Sequence, residues 1–261
     1  MQGFLLYSKI DLSKIGEFSY GPSKVSIIDS VADYTTLLKS IFDFPLIKKF
    51  LDEHHSDFQV LFDGLNGVTG PYARALLVES FGLPESSIQN CVPLPDFGGG
   101  HPDPNLTYAH TLVEAVEENG IQFGAASDGD GDRNMIYGKG AFVTPSDSVA
   151  IIAHWAHTIP YFKEGGVKGL ARSMPTSKAI DLVAQKKGLE CFEVPTGRFG
   201  MFWSTEVAET ICMQDGNSLE TSWMPADFQS AARNHSGLDL TISARRMVFG
   251  LLLVSQCFHQ K

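Results

Sequence analysis

Hydrophobic residues along the first two thirds of the chain follow two alternating spacings. Short continuous apolar runs, typical of buried strands, occupy residues 58–62, 91–94, 121–126, 133–137, 167–172 and 189–194. Apolar residues at helical spacing predict helices over 31–53, 71–81, 106–118, 148–157 and 175–187. Strands that alternate with helices indicate an α/β fold, with a mixed, mainly parallel sheet flanked by helices.

The ends of the chain do not follow this alternation. Residues 1–30 are expected to be irregular, because Gly16, Gly21 and Pro22 interrupt every pattern there. A glycine-rich turn followed by a helix cap predicts a domain boundary near 139–146. We therefore divide the chain into residues 1–30, a first α/β domain at 31–144, the opening of a second domain at 145–197, and a tail at 198–261 without regular alternation.

Composition narrows the classes of function. The 261 residues are 43% hydrophobic and 19% charged, which is typical of a globular protein. The net charge of -10 argues against nucleic acid or an anionic membrane as a partner. The four cysteines are widely spread, and the longest late apolar run, 247–254, is far shorter than the roughly 20 residues of a membrane helix. These features predict a soluble cytoplasmic protein with reduced thiols.

The strongest chemical signal is the run DGDGDR at 128–133, which follows a predicted strand. Its glycines allow the backbone to fold so that Asp128, Asp130 and Asp132 converge. Converging carboxylates require a cation, and all-oxygen ligands favour Mg²⁺ or Ca²⁺. A calcium EF-hand is disfavoured, because position 12 of such a loop would be Lys139 and both flanks read as strands.

Two further interpretations of this loop stay open. The carboxylates could be solvated groups on an acidic hairpin turn without a metal. Arg133 could be only their counter-ion, or its planar guanidinium could reach a phosphate oxygen.

Three other segments are candidates for the same cleft. The loop FGGGHPDPN at 97–105 is either a wall of the cleft or a strand-to-helix connection capped by Asn105, and its His101 is more typical of a packing residue than of an acid or base. Residues 171–177 join a strand end to a helix start, where backbone N–H groups either bind an anion or are simply capped. Pro195-Thr196-Gly197 also follows a strand end, where ligands of open α/β sheets bind.

Taken together, these motifs resemble the phosphoglucomutase family of the phosphohexomutase superfamily, most closely its eukaryotic glucose-specific branch. The resemblance covers about residues 10–197, through the stretches DSVADYTTLLKSIFDFPLIKKF, NCVPLPDFGGGHPDPNLTYA, DGDGDRNMI, ARSMPTSKAID and EVPTG. It implies four α/β domains around one cleft in the family. Of these, the chain would hold the end of domain I and a linker at 1–30, domain II at 31–144 and the start of domain III at 145–197.

The resemblance also implies an activity. A phosphoserine of the family's first domain transfers a phosphoryl group between the 1- and 6-hydroxyls of glucose phosphate. Glucose phosphates and glucose 1,6-bisphosphate are the ligands that the resemblance implies. Mg²⁺ would lie between that phosphate and Asp128, Asp130 and Asp132, while Arg133 would contact the transferring phosphate. Thr196 and Gly197 would begin the sugar-contacting loop. A cytoplasmic monomer is expected.

Several parts of the family pattern are missing from this sequence. The serine loop Ser-His-Asn-Pro, the sugar clamp Gly-Glu-Glu-Ser and the phosphate loop Arg-x-Ser-Gly-Thr do not occur, so no catalytic nucleophile is assigned. The chain alone is therefore expected to be inactive. A non-catalytic relative and a mutase of another hexose phosphate remain alternatives.

The tail carries a signal in another reading frame. Permitted codons for residues 215–224, read two bases later, encode WKFFGNLM, and the continuation encodes the missing Gly-Glu-Glu-Ser clamp. Codons of Gly197 and Gln214 allow the GT and AG ends of an intron. We interpret 198–261 as an out-of-frame tail after an unspliced intron. A selected non-catalytic relative would not encode an intact sugar clamp out of frame.

Overall fold

The computed structural model describes residues 11–194, and a mixed five-stranded sheet lies at their centre. The helices are α1 (Ser30–Ile41), α2 (Phe44–Glu53), α3 (Gly70–Ala73), α4 (His110–Asn119), α5 (Pro145–Trp155), α6 (Pro160–Gly165) and α7 (Ala179–Lys187). The strands are β1 (Gly16–Tyr20), β2 (Ser23–Ile27), β3 (Val60–Asp63), β4 (Ile88–Gln89), β5 (Phe123–Ser127), β6 (Asn134–Gly138), β7 (Ala141–Val143), β8 (Gly169–Ser173) and β9 (Glu190–Val194).

The central sheet has the strand order β4-β3-β5-β6-β7. Strand β3 pairs in parallel with β4 and β5, whereas β5–β6 and β6–β7 are antiparallel. Strands β8 and β9 form a separate parallel pair. The predicted α/β class with a mixed sheet and flanking helices is confirmed, and the carboxyl ends of β3, β4 and β5 meet at one edge of the sheet.

Helices cover both faces of this sheet. On one face, Val60, Phe62 and Phe123 belong to a large core that also contains side chains of α1, α2, α5 and α7. On the other face, Leu61, Ala126 and Met135 pack with Leu112 and Val116 of α4. The alternation of β3 side chains between these clusters is the two-residue period of a strand buried on both sides.

Several helices of the structure differ from the predicted ones for reasons found in the local sequence. The single helix expected over 31–53 is wrong: α1 ends at Ile41, and Asp43 begins α2 by accepting a hydrogen bond from the Leu46 N–H. Pro45 then occupies the first turn, where its missing N–H costs nothing. Helix α3 continues as a π-helix over Arg74–Ser80.

Other differences concern strands. Residues 16–27, expected to be irregular, form the hairpin β1–β2, with Gly21 at φ 57° in its turn. The strand next to β3 is Ile88–Gln89 rather than 91–94. Strand β7 and helix α6 had no clear signal in the apolar pattern.

Among residues 11–194, no helix combines the length and the apolar character that crossing a bilayer requires. The cysteines in this range, Cys91 and Cys191, are free thiols. The tail assigned to 198–261 lies outside the described residues.

Candidate metal and phosphate site

The DGDGDR loop connects β5 to β6 at the edge where β3, β4 and β5 end. Asp128 is the most buried of its three acids, at 1% exposure. Its Oδ1 accepts the backbone N–H groups of Gly131 and Arg133, both at 3.0 Å. Gly131 has φ 86°, a conformation that glycine adopts without strain, and this closes the loop around the carboxylate.

The three carboxylates converge as the spacing predicted. One oxygen each of Asp128, Asp130 and Asp132 lies within 4.8 Å of the others. Burial raises the pKa of Asp128, although the hydrogen bonds from Arg133 oppose this shift. Partial desolvation, then the proximity of Asp128, raises the pKa of Asp130. Both shifts mean that negative charge is disfavoured here, so the donor set fits a hard divalent cation.

Arg133 lies between two acidic groups. Its Nε donates to Asp128 Oδ2 at 2.8 Å, and its Nη1 donates to Asp103 Oδ1 at 3.1 Å. A third carboxylate, Asp132, is 3.7 Å from Nε. These contacts hold the guanidinium beside the carboxylate cluster, although its side chain is about one third exposed.

Asp103 is a residue that the sequence reasoning did not single out. It belongs to the FGGGHPDPN loop, and its second oxygen accepts a hydrogen bond from the Asn105 amide at 2.9 Å. Asn105 in turn accepts the N–H groups of Thr107 and Tyr108. The only feature of the sequence that could have identified Asp103 is its position as an acidic residue between two prolines, in the loop already proposed as a wall of the cleft.

The FGGGHPDPN loop is both a connection and a wall. Asn105 holds the turn that leads to α4, but the predicted helix cap at Asn105 is wrong: α4 begins at His110, with Ala109 as its N-cap and without a side-chain cap. The Phe97 ring and Pro102 also cover Gly129: a Cβ on Gly129 would lie 2.9 Å from the Phe97 ring and 3.4 Å from Pro102. His101 stacks on Tyr108 with ring centroids 4.0 Å apart, as expected of a packing residue.

The segment after β8 is held by side chains. The hydroxyls of Ser173 and Thr176 lie 2.7 Å apart, and Ser177 donates to Asp147 at the start of α5. Arg172, fully buried, binds Asp181 through two hydrogen bonds and Glu193 through one. At the start of α7, Ser177 Oγ accepts the Ala179 N–H at 3.2 Å, while the N-cap residue Lys178 makes no side-chain cap hydrogen bond. Of the two interpretations of residues 171–177, the capped helix is therefore met only in part, and anion binding stays a prediction. Thr196 and Gly197 lie outside the described residues.

Both flanks of the metal loop are antiparallel strands, which excludes the EF-hand alternative. The hairpin alternative describes the same backbone, and the ion pairs of Arg133 with Asp103, Asp128 and Asp132 are those that the counter-ion interpretation predicts. Binding of a metal by the carboxylates and of a phosphate by Arg133 stays a prediction. The fold and the loop together define the class: an α/β/α domain with a carboxylate cluster, which could hold a metal ion, at the carboxyl edge of its sheet.

The chain belongs to the phosphoglucomutase/phosphomannomutase family. The family's sequence model for α/β/α domain II matches residues 32–140, and that for α/β/α domain III matches residues 144–200. The expected family is thereby confirmed.

Named relatives are similar over most of this chain. Phosphoglucomutase of Aspergillus oryzae is 64% identical over 189 residues, which are 72% of this chain and 34% of that protein. Phosphoglucomutase 1 of Saccharomyces cerevisiae is 62% identical over 196 residues, covering 73% and 34%. The chain thus spans about a third of the length of these relatives.

Solved structures share the fold. The crystal structure of pp63/parafusin, a phosphoglucomutase from Paramecium, has a TM-score of 0.77 and 36% identity, covering 97% of this chain and 43% of that one. A phosphomannomutase structure from Thermus thermophilus, at 16% identity and a TM-score of 0.60, shows likeness of fold alone.

Proposed function

We propose that this chain is the metal- and phosphate-binding part of a phosphoglucomutase, which interconverts α-D-glucose 1-phosphate and glucose 6-phosphate through a phosphoserine. The observation that carries the proposal is the convergence of Asp128, Asp130 and Asp132 beside an arginine fixed by Asp103. The names of the similar proteins support the same reaction.

We assign the metal to Asp128, Asp130 and Asp132 and its identity to Mg²⁺, because hard oxygen ligands that leave room for phosphate suit that ion. When bound, the ion supplies charge neutralisation at the phosphoryl group. Arg133 contributes a fixed positive charge and planar N–H donors for the phosphate oxygens. The hydrogen bond to Asp103 limits the orientations of the Arg133 guanidinium. Thr196 and Gly197 are proposed to contact the sugar.

Phosphoryl transfer depends on such positioning and charge stabilisation, which these residues supply. The covalent carrier is a separate requirement. No Ser-His-Asn-Pro segment occurs in the 261 residues, so we propose that this chain alone does not catalyse turnover.

A segment exchange tests the proposal. Residues 11–194 replace the matching segment of the yeast phosphoglucomutase 1 to which they are similar, and a coupled mutase assay follows with Mg²⁺ and glucose 1,6-bisphosphate. We expect an active chimera, loss of activity in its Asp130→Asn variant, and retained activity in its Glu79→Gln variant, which removes an exposed carboxylate elsewhere. A folded chimera without activity would support the non-catalytic alternative. Activity that survives Asp130→Asn would refute the metal assignment.

Substrate choice needs its own comparison. We propose glucose phosphates and glucose 1,6-bisphosphate as ligands, in keeping with the names of the relatives. The alternative, a mutase for another hexose phosphate, predicts that the chimera prefers mannose 1-phosphate or N-acetylglucosamine 1-phosphate over glucose 1-phosphate in the same assay.

The remaining assignments stay proposals. We propose a monomer in the cytoplasm, although two relatives, from Marchantia polymorpha and Arabidopsis thaliana, are named chloroplastic. We also propose that residues 198–261 are an out-of-frame tail. Sequencing the transcript across the Gly197 codon tests this, since a spliced message that encodes Gly-Glu-Glu-Ser in frame would support it.

A further inference from the structure

The turn between β3 and α3, residues 64–69, which we call the β3 turn, has an unusual backbone. Leu65 and Asn66 both lie in the left-handed region, with φ of 45° and 54°. Residues with side chains adopt this region at a cost in free energy, and two in succession persist only where their surroundings impose it. The sequence DGLNG indicates a turn but does not show what the turn contacts.

Hydrogen bonds to the segment after β4 impose this conformation. The Asn66 N–H donates to the Asn90 carbonyl at 2.8 Å, and the Asn66 side-chain amide donates to the Val92 carbonyl at 2.9 Å. The Leu94 N–H donates back to the Asn66 carbonyl at 3.0 Å. The Leu65 N–H is bound by Asp63 Oδ1 at 2.8 Å. The β3 turn is thus a rigid element with a defined outer surface.

That surface supports the metal loop directly. The Val68 N–H donates to the Gly129 carbonyl at 3.0 Å. The hydroxyls of Thr69 and Ser127, both buried, share a hydrogen bond of 2.5 Å. A Cβ on Gly67 would lie 2.8–2.9 Å from backbone atoms of Asp128 and Gly129, so the two loops touch without space between them.

We infer that the β3 turn positions the metal loop, and that Thr69 is a positioning residue acting through Ser127 on the adjacent ligand Asp128. This inference rests on the proposed function, since it concerns the same metal site. Thr69 touches neither metal nor substrate. Its hydroxyl fixes the end of β5, the point from which Asp128 enters the cluster, so its loss is expected to disturb ligand geometry as well as stability.

Binding of Mn²⁺ to the full 261-residue chain, followed by electron paramagnetic resonance with competition by Mg²⁺, measures this effect. Thr69→Val keeps the side-chain shape and removes the hydroxyl. We expect Mn²⁺ affinity to fall about tenfold, as it does when groups that orient metal ligands are lost. Thr69→Ser, which restores the hydroxyl, is expected to retain the wild-type affinity within about twofold.

Thr158→Val is the matched control. Thr158 is also a buried threonine, and its hydroxyl donates to the Trp155 carbonyl at 2.7 Å, in the turn that follows α5. Thermal unfolding is expected to show a lowered midpoint in both valine variants. Equal Mn²⁺ affinity of Thr69→Val and Thr158→Val would overturn the inference, because the Thr69 hydroxyl would then contribute to stability alone.

Two more variants cover the other outcomes. If Thr69→Val does not fold, Gly67→Ala tests the same support, since its methyl group pushes on metal-loop backbone and should lower Mn²⁺ affinity by a similar factor. Unchanged affinity in Gly67→Ala would refute the positioning role. If Asp130→Asn leaves Mn²⁺ binding unchanged, or the wild type binds no Mn²⁺, the proposed metal site itself fails. If Asp130→Asn abolishes binding and the β3 turn variants do not alter it, only the present inference fails.

Discussion

Removing one carboxylate from the metal loop should change stability in opposite directions with and without metal. At the 4.8 Å that bounds the ligand oxygens, two unit charges repel by about 0.9 kcal/mol even in a water-like dielectric of about 80. Asp130 has two such neighbours, Asp128 and Asp132, and Arg133 offsets part of their repulsion. The raised pKa of Asp130 has the same sign, since its charged form is disfavoured in the fold. Asp130→Asn should therefore stabilise the metal-free chain by about 1 kcal/mol.

With Mg²⁺ present, the wild type should instead be more stable than Asp130→Asn. In wild type, Mg²⁺ at about one hundred times its Kd stabilises the fold by about 2.7 kcal/mol through linkage, which exceeds the variant's advantage of about 1 kcal/mol. The variant loses one of three carboxylate ligands and with it most of this gain. Urea unfolding monitored by circular dichroism, in EDTA and in Mg²⁺, gives both quantities.

Glu79→Gln is the control for this experiment. It removes the same unit of charge from an exposed site outside the cluster, so it separates relief of local repulsion from relief of the net charge of -10. If Asp130→Asn destabilises the chain in EDTA, or if Mg²⁺ stabilises variant and wild type equally, the three carboxylates do not form one repulsive cation site.

Three other substitutions test polar side chains outside the three carboxylates. Asp103→Asn should weaken Mg²⁺-dependent binding of glucose 1,6-bisphosphate several-fold, measured by calorimetry, because Arg133 loses a charged partner. The melting temperature should change little. Unchanged binding would contradict the role given to Asp103. Arg172→Met should lower the free energy of unfolding by about 2 kcal/mol, less than for a fully buried pair, since its acidic partners are partly exposed. Hydrogen bonding to Arg172 lowers the pKa of Asp181, so the wild type should lose this stability as pH falls below about 4 and the variant should not; parallel pH profiles in urea titrations would refute it. Asn134→Leu should raise the free energy of unfolding by roughly 1 kcal/mol, because within residues 11–194 neither polar atom of this buried amide has a hydrogen-bond partner; a clear loss of stability would show that the amide is satisfied.

Local sequence predicted the features that depend on near neighbours. Asp29, directly before the first helical residue, caps α1 by accepting the N–H groups of Val31 and Ala32. The break between α1 and α2 was also readable from Asp43 and Pro45, but the continuous apolar spacing hid it. In contrast, the hairpin β1–β2 shows that a glycine and a proline can form the turn between strands instead of ending all structure.

Local sequence suffices for the alternation of strands and helices and for the convergence of the three carboxylates, because helix caps, strand periods and an i, i+2, i+4 glycine-spaced loop act over a few residues. The residues that surround this loop follow from the packing of the sheet. Asp103 meets Arg133 across 30 positions, and Thr69 meets Ser127 across 58. Such pairs form only because parallel strands β3, β4 and β5 bring their carboxyl ends to one edge, and strand order is a property of the packed sheet that no local pattern encodes.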